Sequence, residues 1–209
     1  MSISTQNYGL AFHTTTPQLA IALANFKGDH RSQIWDLGRN LSSCFHQHLQ
    51  EFLSPQTLQD IAFIAVAKGP GGFTGTRIGV VAARTFGQQL DIPVYGVSTL
   101  AAIAYNTIQI KDNSLIAVEM NARREQLFVA IYQVSSNGIW SEYLADTTTT
   151  KSKWHETLAA LQSPYQLIKA PEEVAYSIDS VLSLGYIQWQ QKIYSQWSEI
   201  VPFYGQHPV

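Results

Sequence analysis

The chain has 209 residues, of which 45% are hydrophobic and 13% are charged, and its formal net charge is −2. A composition this rich in apolar and aromatic residues can build a large core, which argues against an intrinsically disordered protein. The near-neutral charge, without a long run of lysine or arginine, argues against a free-standing nucleic-acid-binding protein.

The N-terminal part of the chain alternates short apolar segments with turn residues. This pattern predicts an antiparallel meander of three short strands, at 8–13, 19–26 and 31–37. Leu41, Phe45 and Leu49 then recur at the spacing of a helix, so we expect an amphipathic helix over 39–53.

The segment 61–67 reads IAFIAVA and is continuously apolar. Such a run is typical of a strand that is buried on both faces, as in a parallel sheet covered by helices. A glycine-rich loop, KGPGG, follows at 68–72. Beyond it the pattern predicts a helix at 74–90, with Thr74 as its N-cap, a strand at 93–97, and a helix that is capped by Ser98 or Thr99 and ends near 105.

The second half of the chain begins after a polar break at 107–113, so we expect two lobes, 1–108 and a smaller 109–209. The pattern there predicts strands at 115–120, 126–134, 139–144 and 165–169, and helices at 152–162 and 172–184. The aromatic and glutamine-rich segment 186–197 fits a helix and an irregular segment equally well.

The chain has one cysteine, Cys44, which excludes an internal disulfide and fits a reducing compartment. The polar segment 1–9 lacks the basic and apolar regions of a signal peptide. No apolar run approaches the ~18 residues of a membrane-spanning helix. We therefore expect a soluble, cytoplasmic protein that does not bind a membrane.

The glycine-rich loop has two interpretations, and the first is a phosphate site. The lysine of a P-loop and the third glycine of GxGxxG are both missing. A glycine-rich turn between a buried strand and a helix is nevertheless a general anion site, because backbone N–H groups point outward there. The candidate phosphate-binding residues in the loop and the first helical turn are Gly69, Gly71, Gly72 and Thr74.

The second interpretation is close packing. Gly75, Gly79, Ala83 and Gly87 recur every four residues on the following helix. Three glycines inside a helix cost roughly 2–3 kcal/mol, so a close contact must offset them. The contacting element is either the chain's own sheet or a second polypeptide, and Phe73 could pack as a hydrophobic staple at the foot of the helix.

Two segments together resemble the bacterial TsaB (YeaZ) family. The stretch from Gly69 to Gly79, GPGGFTGTRIG, matches the family's GPGSFTGLRIG, and GVSTL at 96–100 matches the family at the same distance. The likeness extends more weakly to 8–26 and 116–132, and Pro202-Phe203-Tyr204 is similar to the family's terminal P-x-Y.

This resemblance implies an α/β, actin-like (ribonuclease H-like) fold of two lobes, the C-terminal one reduced. It implies a non-catalytic subunit in the synthesis of threonylcarbamoyladenosine at position 37 of tRNA. The expected partners are a catalytic paralogue, TsaD, and a small ATPase, TsaE, which binds the assembled pair; tRNA would be reached only through the complex. Without its partner, the subunit is expected to form a homodimer.

Mapped onto this sequence, the family's contact with the paralogue uses the first two helices. The expected partner-binding residues are Leu41, Phe45, Leu49, Phe73, Gly75, Ile78, Gly79, Ala82, Ala83 and Phe86. Arg77 also matches the family and joins the candidate phosphate-binding residues. No cofactor is assigned to this chain alone, although ATP or ADP could bind in the complex. A nucleotide-binding ATPase of the same superfamily is the alternative function.

Two departures from the family concern acidic residues. His13 stands where the family has an aspartate after the first strand, and Asn121 stands where the second lobe has another. Actin-like phosphotransferases hold Mg²⁺ with such carboxylates, so their loss argues against phosphoryl transfer. Leu41 replaces the family's usual histidine in the first helix. We predict that His13 is a partly buried, hydrogen-bonded residue, and we predict no metal site and no catalytic residue.

Overall fold

The computed structural model describes residues 8–107, 115–134, 140–193 and 195–205. The elements of the first part are β1 (Tyr8–His13), β2 (Gln18–Ala24), β3 (His30–Asp36), α1 (Leu41–Leu53), β4 (Ile61–Ala67), α2 (Phe73–Leu90), β5 (Val94–Val97) and α3 (Thr99–Asn106). Those of the second part are β6 (Leu115–Asn121), β7 (Gln126–Val134), β8 (Trp140–Thr150), α4 (Lys151–Ala159), β9 (Tyr165–Lys169) and α5 (Ile178–Gln190).

The first sheet has the strand order β3-β2-β1-β4-β5. Strands β1, β2 and β3 are antiparallel neighbours, which confirms the predicted meander. Strand β4 is parallel to both β1 and β5, and its residues are almost entirely buried. Helices cover both faces of this strand, as predicted, and this explains why all seven of its residues are apolar.

The second sheet repeats this arrangement with one strand fewer, in the order β8-β7-β6-β9. Strands β6, β7 and β8 form an antiparallel meander, and β9 returns parallel to β6 after α4. The plan of meander, helix and parallel strand thus occurs twice along the chain. This duplication confirms the actin-like α/β fold with a smaller second sheet.

Helices pack on both faces of the first sheet. On one face, α1 and α2 bury a cluster that includes Phe12, Phe45 and Val80. On the other face, α3 and α5 bury a cluster that contains many alanines. A Cβ on Gly185 of α5 would overlap the Cβ of Ala65, so this helix lies unusually close to β4.

Helix α5 comes from the second half of the sequence, yet its main contacts are with β1 and β4 of the first sheet. A short 3-10 turn at Ala175–Ser177 precedes it, so the helix predicted at 172–184 begins and ends later than expected. The segment 186–197, for which the sequence did not decide between a helix and an irregular segment, is helical as far as Gln190. The predicted lobe boundary between 108 and 109 lies outside the described residues and stays a prediction.

Strand β8 is longer than predicted and includes the four threonines at 147–150. The part of the segment at 139–144 that precedes Trp140 lies outside the described residues. Among the described helices, none combines the length and the apolar character needed to cross a membrane. The cytoplasmic location stays a prediction.

Candidate functional site

The glycine-rich loop joins β4 to α2 and is held by three other parts of the chain. The Gly72 N–H donates to the Thr15 carbonyl at 2.7 Å. The Gly69 carbonyl accepts from the Thr99 N–H at 2.8 Å, and the Lys68 carbonyl accepts from the Phe203 N–H at 2.7 Å. The loop is therefore fixed by the β1–β2 turn, by the start of α3 and by the C-terminal segment.

The glycines of α2 face the chain's own sheet. A Cβ on Gly75 or Gly79 would overlap Thr14, and a Cβ on Gly87 would overlap Val94. The Thr14 hydroxyl donates to the Gly75 carbonyl at 2.8 Å, a hydrogen bond that needs this close approach. The sequence left open whether the glycines contact the chain's own sheet or a second polypeptide. In the structure they contact the chain itself, at the β1–β2 turn and at β5.

The start of α2 differs from the prediction. Its N-cap is Gly72, no side chain caps the helix, and Thr74 is already inside it. Phe73 is the first helical residue, and its ring lies 4.4 Å from the ring of Tyr204, centroid to centroid. The Thr74 N-cap prediction was wrong because the helix begins at Phe73 and its N-cap, Gly72, lies two residues before Thr74.

Most of the predicted partner-binding side chains lie in the chain's own core. The buried ones are Leu41, Phe45, Leu49, Gly79, Ala83 and Phe86. Phe73 is 42% exposed, Gly75, Ile78 and Ala82 are partly exposed, and Val81, which the prediction omitted, is 52% exposed. We call Phe73, Arg77, Ile78, Val81 and Ala82 the α2 face. A partner contact on this helix stays a prediction, and these are the residues through which it would form.

A cleft of about 1260 Å³ opens between the two sheets. Gly71, Gly72 and Thr74 of the candidate phosphate set line it, whereas Gly69 and Arg77 do not. The hydroxyl of Thr15, which also lines the cleft, is buried and has no hydrogen-bond partner among the described residues. The charged residues on its walls are Arg39, Arg123, Arg124 and Glu172.

A buried polar network connects the first sheet to the second near the start of α3. Ser98, one of the two predicted caps, is the N-cap of α3, and its oxygen accepts from two backbone N–H groups of that helix. The Ser98 hydroxyl donates to Asp146 Oδ1 at 2.8 Å, and the Tyr132 hydroxyl donates to the same oxygen at 3.1 Å.

Burial raises the pKa of Asp146, and the hydrogen bonds from Ser98 and Tyr132 oppose this rise. Burial also raises the pKa of Tyr132 well above 10. Sequence reasoning missed Tyr132 and Asp146 because they lie on different strands and belong to no short motif.

Comparisons with known proteins address the family. A family model described as TsaD, tRNA N6-adenosine threonylcarbamoyltransferase, matches residues 38–163, which is more than half of the chain. The TsaB protein of Bacillus subtilis (strain 168) is 39% identical over 106 residues, which cover 51% of this chain and 45% of that protein. The chain belongs to the TsaB/YeaZ family.

Other TsaB/YeaZ proteins align over more of the chain. The TsaB protein of Escherichia coli (strain K12) is 27% identical over 165 residues, which cover 75% of this chain and 68% of that protein. The solved structure of YeaZ from Pseudomonas aeruginosa superposes with a TM-score of 0.75 at 20% identity, covering 94% of this chain and all of that one. At this identity the structural likeness supports the fold alone.

His13, at the TsaB/YeaZ aspartate position, is completely buried at the end of β1. Neither ring nitrogen has a hydrogen-bond partner among the described residues. The prediction of a partly buried, hydrogen-bonded histidine was therefore wrong. Because burial disfavours the charged form, the pKa of His13 falls from 6.5 to about 4. The ring is neutral at pH 7.

Asn121, at the second acidic position, is exposed at the end of β6 and lines the cleft. Glu119, two residues earlier, is engaged elsewhere: it accepts from Trp154 Nε1 at 2.7 Å and lies 3.6 Å from Lys169 Nζ. In the described ranges, no group of three or more His, Cys, Asp or Glu residues is arranged to hold a metal ion.

Proposed function

We propose that this chain takes part in the biosynthesis of tRNA threonylcarbamoyladenosine as a non-catalytic scaffold that pairs with a TsaD-like catalytic paralogue. Family membership supports the pathway, because relatives from Bacillus subtilis and Escherichia coli are named as biosynthesis proteins of this modified nucleoside. The family model that matches residues 38–163 supports a common origin with the paralogue. A small TsaE-like ATPase would bind the assembled pair, and tRNA would be reached through the complex.

The observation that carries the scaffold role is the α2 face. Large apolar side chains on it are open to solvent, with Phe73 42% exposed and Val81 52% exposed. Arg77 is the one charged residue of this face, and Ile78 and Ala82 are partly exposed between the larger side chains. Exposed apolar surface of this kind is typical of a protein–protein contact.

The two departures at acidic positions support the non-catalytic part of the proposal. Phosphoryl transfer in actin-like enzymes needs carboxylates to hold Mg²⁺. His13 supplies a neutral, buried ring, and Asn121 supplies an amide. Glu119 is already bound by Trp154 and Lys169. The catalytic residues would therefore come from the paralogue.

The test is co-purification of this chain with its TsaD-like paralogue after co-expression. We expect Val81→Glu to abolish the complex, because it places a charge in the centre of the apolar contact. Tyr143→Glu is the matched control, since Tyr143 is 58% exposed on β8 of the second sheet. A complex that survives Val81→Glu, or no complex with the wild-type chain, would refute the scaffold proposal. Gly79 is unsuitable for this test because a side chain there would displace Thr14.

In the absence of the paralogue, the same α2 face would pair with a second copy. Light scattering of the purified chain at high micromolar concentration should then give the mass of a homodimer, and Val81→Glu should give the mass of a monomer. A monomeric wild-type chain would contradict this part of the proposal.

The cleft provides a second candidate function, the binding of a nucleotide without its hydrolysis. The Thr15 hydroxyl without a partner, just beneath the cleft wall, favours it, because rotation of this side chain towards the cleft would let an anion accept a hydrogen bond from it. The first N–H groups of α2 have no intrahelical acceptor, and they carry the positive end of the helix dipole. Arg39, Arg123 and Arg124 outnumber Glu172 on the cleft walls.

Calorimetry with ADP and ATP, with and without Mg²⁺, tests this candidate. We expect Thr15→Val to weaken binding at least fivefold, because valine keeps the shape of threonine but cannot donate a hydrogen bond. Thr85→Val is the control, since Thr85 is exposed on α2 outside the cleft. The candidate fails if neither nucleotide binds at 1 mM, or if Thr15→Val binds as well as the wild-type chain.

A further inference from the structure

The C-terminal segment, which we define as residues 195–205, runs along α2 in the direction opposite to the helix. A Cβ on Gly87, near the end of α2, would lie 3.2 Å from the Cβ of Trp197. At the start of α2, the rings of Phe73 and Tyr204 lie 4.4 Å apart, centroid to centroid. The helix rises by about 21 Å from Phe73 to Gly87, and a nearly extended run from Trp197 to Tyr204 spans about the same distance. The segment therefore follows α2 over most of its length.

Contacts at several points hold the C-terminal segment in this position. The Ser195 hydroxyl donates to a backbone carbonyl of β5, and the Phe203 N–H donates to the Lys68 carbonyl at 2.7 Å. The guanidinium of Arg84, on α2, lies 5.9 Å from the centroid of the Trp197 ring. A surface that is already ordered loses little conformational entropy when a partner binds to it.

Helix α2 lies between two flanking elements. The ring of Phe86 lies 6.1 Å from that of His46, which belongs to α1. Arg84, which contacts the C-terminal segment, lies two residues before Phe86 and so about 200° away around the helix axis. Helix α1 is therefore on one side of α2 and the C-terminal segment is on the other, with the α2 face between them.

The two flanking elements differ in polarity. On the segment, Val201 is 60% exposed, the largest value among the large hydrophobic residues of the described ranges, and Ile200 and Tyr204 are partly exposed. The exposed residues of α1 are all polar: Ser42, Ser43, His46, Gln47, Gln50 and Glu51. Protein–protein interfaces combine an apolar core with a polar rim. The segment therefore suits the core of a contact, and α1 suits its rim.

The size of the α2 face indicates that a contact there must extend onto a flanking element. A stable interface buries about 800 Å² on each partner, which takes roughly 20–30 residues. The α2 face consists of a few residues of one helix, so it supplies only a fraction of this area. The apolar surface continues from Phe73 to Tyr204 and Val201, not towards α1.

We propose that the C-terminal segment completes the apolar docking face for the TsaD-like paralogue, with α1 at the polar rim of the contact. This inference rests on the proposed scaffold function and names the surface that the partner covers. Arg77 is exposed, and none of the ion pairs in the described ranges includes it. The matching surface of the partner is therefore apolar, with an acidic side chain opposite Arg77.

The experiment measures the affinity of the full chain for the purified paralogue by calorimetry at low and high salt. We expect Val201→Glu to weaken binding by about tenfold or more, because it buries a charge in an apolar contact. Arg77→Ala should reduce the dependence of the affinity on salt, because the pair with the partner's carboxylate is lost. Val201 is mostly exposed, so its substitution should leave the temperature of unfolding unchanged.

Two controls introduce the same charge elsewhere. Gln50→Glu, on the exposed side of α1, should change the affinity by no more than about threefold, as is typical of a rim position. Tyr143→Glu, on β8, should leave it unchanged. Weaker binding of Val201→Glu than of both controls supports the inference.

The inference and the scaffold proposal can fail separately. If Val81→Glu abolishes the complex but Val201→Glu binds as well as the wild-type chain, the scaffold proposal stands and the C-terminal segment is not part of the contact. The inference is also overturned if Val201→Glu separates a homodimer yet binds the paralogue normally, because the segment then contacts a second copy instead. Absence of any complex with the wild-type chain overturns both.

Discussion

The buried His13 predicts how the stability of the fold depends on pH. Its pKa is about 4 in the folded chain and 6.5 in the unfolded chain, so between these values the unfolded state binds more protons. Above about pH 6.5 the ring is neutral in both states and titration of His13 does not lower the stability. As the pH decreases from 6.5 towards 4, the free energy of unfolding falls, because only the unfolded state takes up the proton. Between pH 7 and pH 5 the free energy of unfolding should fall by about 2 kcal/mol on account of this one residue.

The assay is urea unfolding of the wild-type chain and of His13→Leu at pH 7, 6 and 5. Leucine removes the titrating group and the two ring nitrogens without partners, so the substitution should be neutral or stabilising at pH 7. At pH 5 the variant should be more stable than the wild-type chain by about 2 kcal/mol beyond any difference at pH 7. The other histidines are common to both proteins, so their contributions cancel. An equal difference at pH 7 and pH 5 would refute the reasoning.

Two further substitutions test the packing of the candidate site. Gly79→Ala should destabilise the fold by about 1–3 kcal/mol in urea unfolding, because its Cβ displaces Thr14, although alanine favours a helix. The control is Gln88→Ala, at an exposed position of the same helix, which should not destabilise the fold. Equal effects of the two substitutions would contradict the close packing at Gly79. Ser98→Ala should cost about 1–3 kcal/mol, because α3 loses its cap and Asp146 loses a donor. A loss below about 0.5 kcal/mol in the same assay would show that the network contributes little.

The sequence predicted the local elements well where the apolar pattern was strong. Strand β4 has the predicted bounds, because seven apolar residues in succession are typical of a strand covered on both faces. Helix α1 buries Leu41, Phe45 and Leu49, as their spacing indicated. The cap of α3 was narrowed to Ser98 or Thr99, because a cap precedes its helix directly and bonds to the backbone beside it; the structure shows that it is Ser98.

The parts that the sequence did not predict depend on contacts between distant residues. The glycine spacing on α2 indicated a close contact but did not identify the contacting residue. For Gly75 and Gly79 that residue is Thr14, which lies on a turn some sixty residues earlier. The environment of His13 was also hidden, because it depends on which elements cover the end of β1. In the cleft, the pattern found Gly71 and Gly72 but gave no sign of the unsatisfied Thr15 hydroxyl.

The position of α5 has a consequence for the order in which the protein can be made. The alanine-rich side of β1 and β4 is covered by the helix at 178–190, which the ribosome synthesises long after both strands. Until that helix emerges, the nascent chain presents bare strand surface around Ala65 to its surroundings. Contacts this distant in sequence slow folding, and exposed apolar strands favour aggregation. Shielding of the growing polypeptide by a chaperone would therefore matter most during this interval.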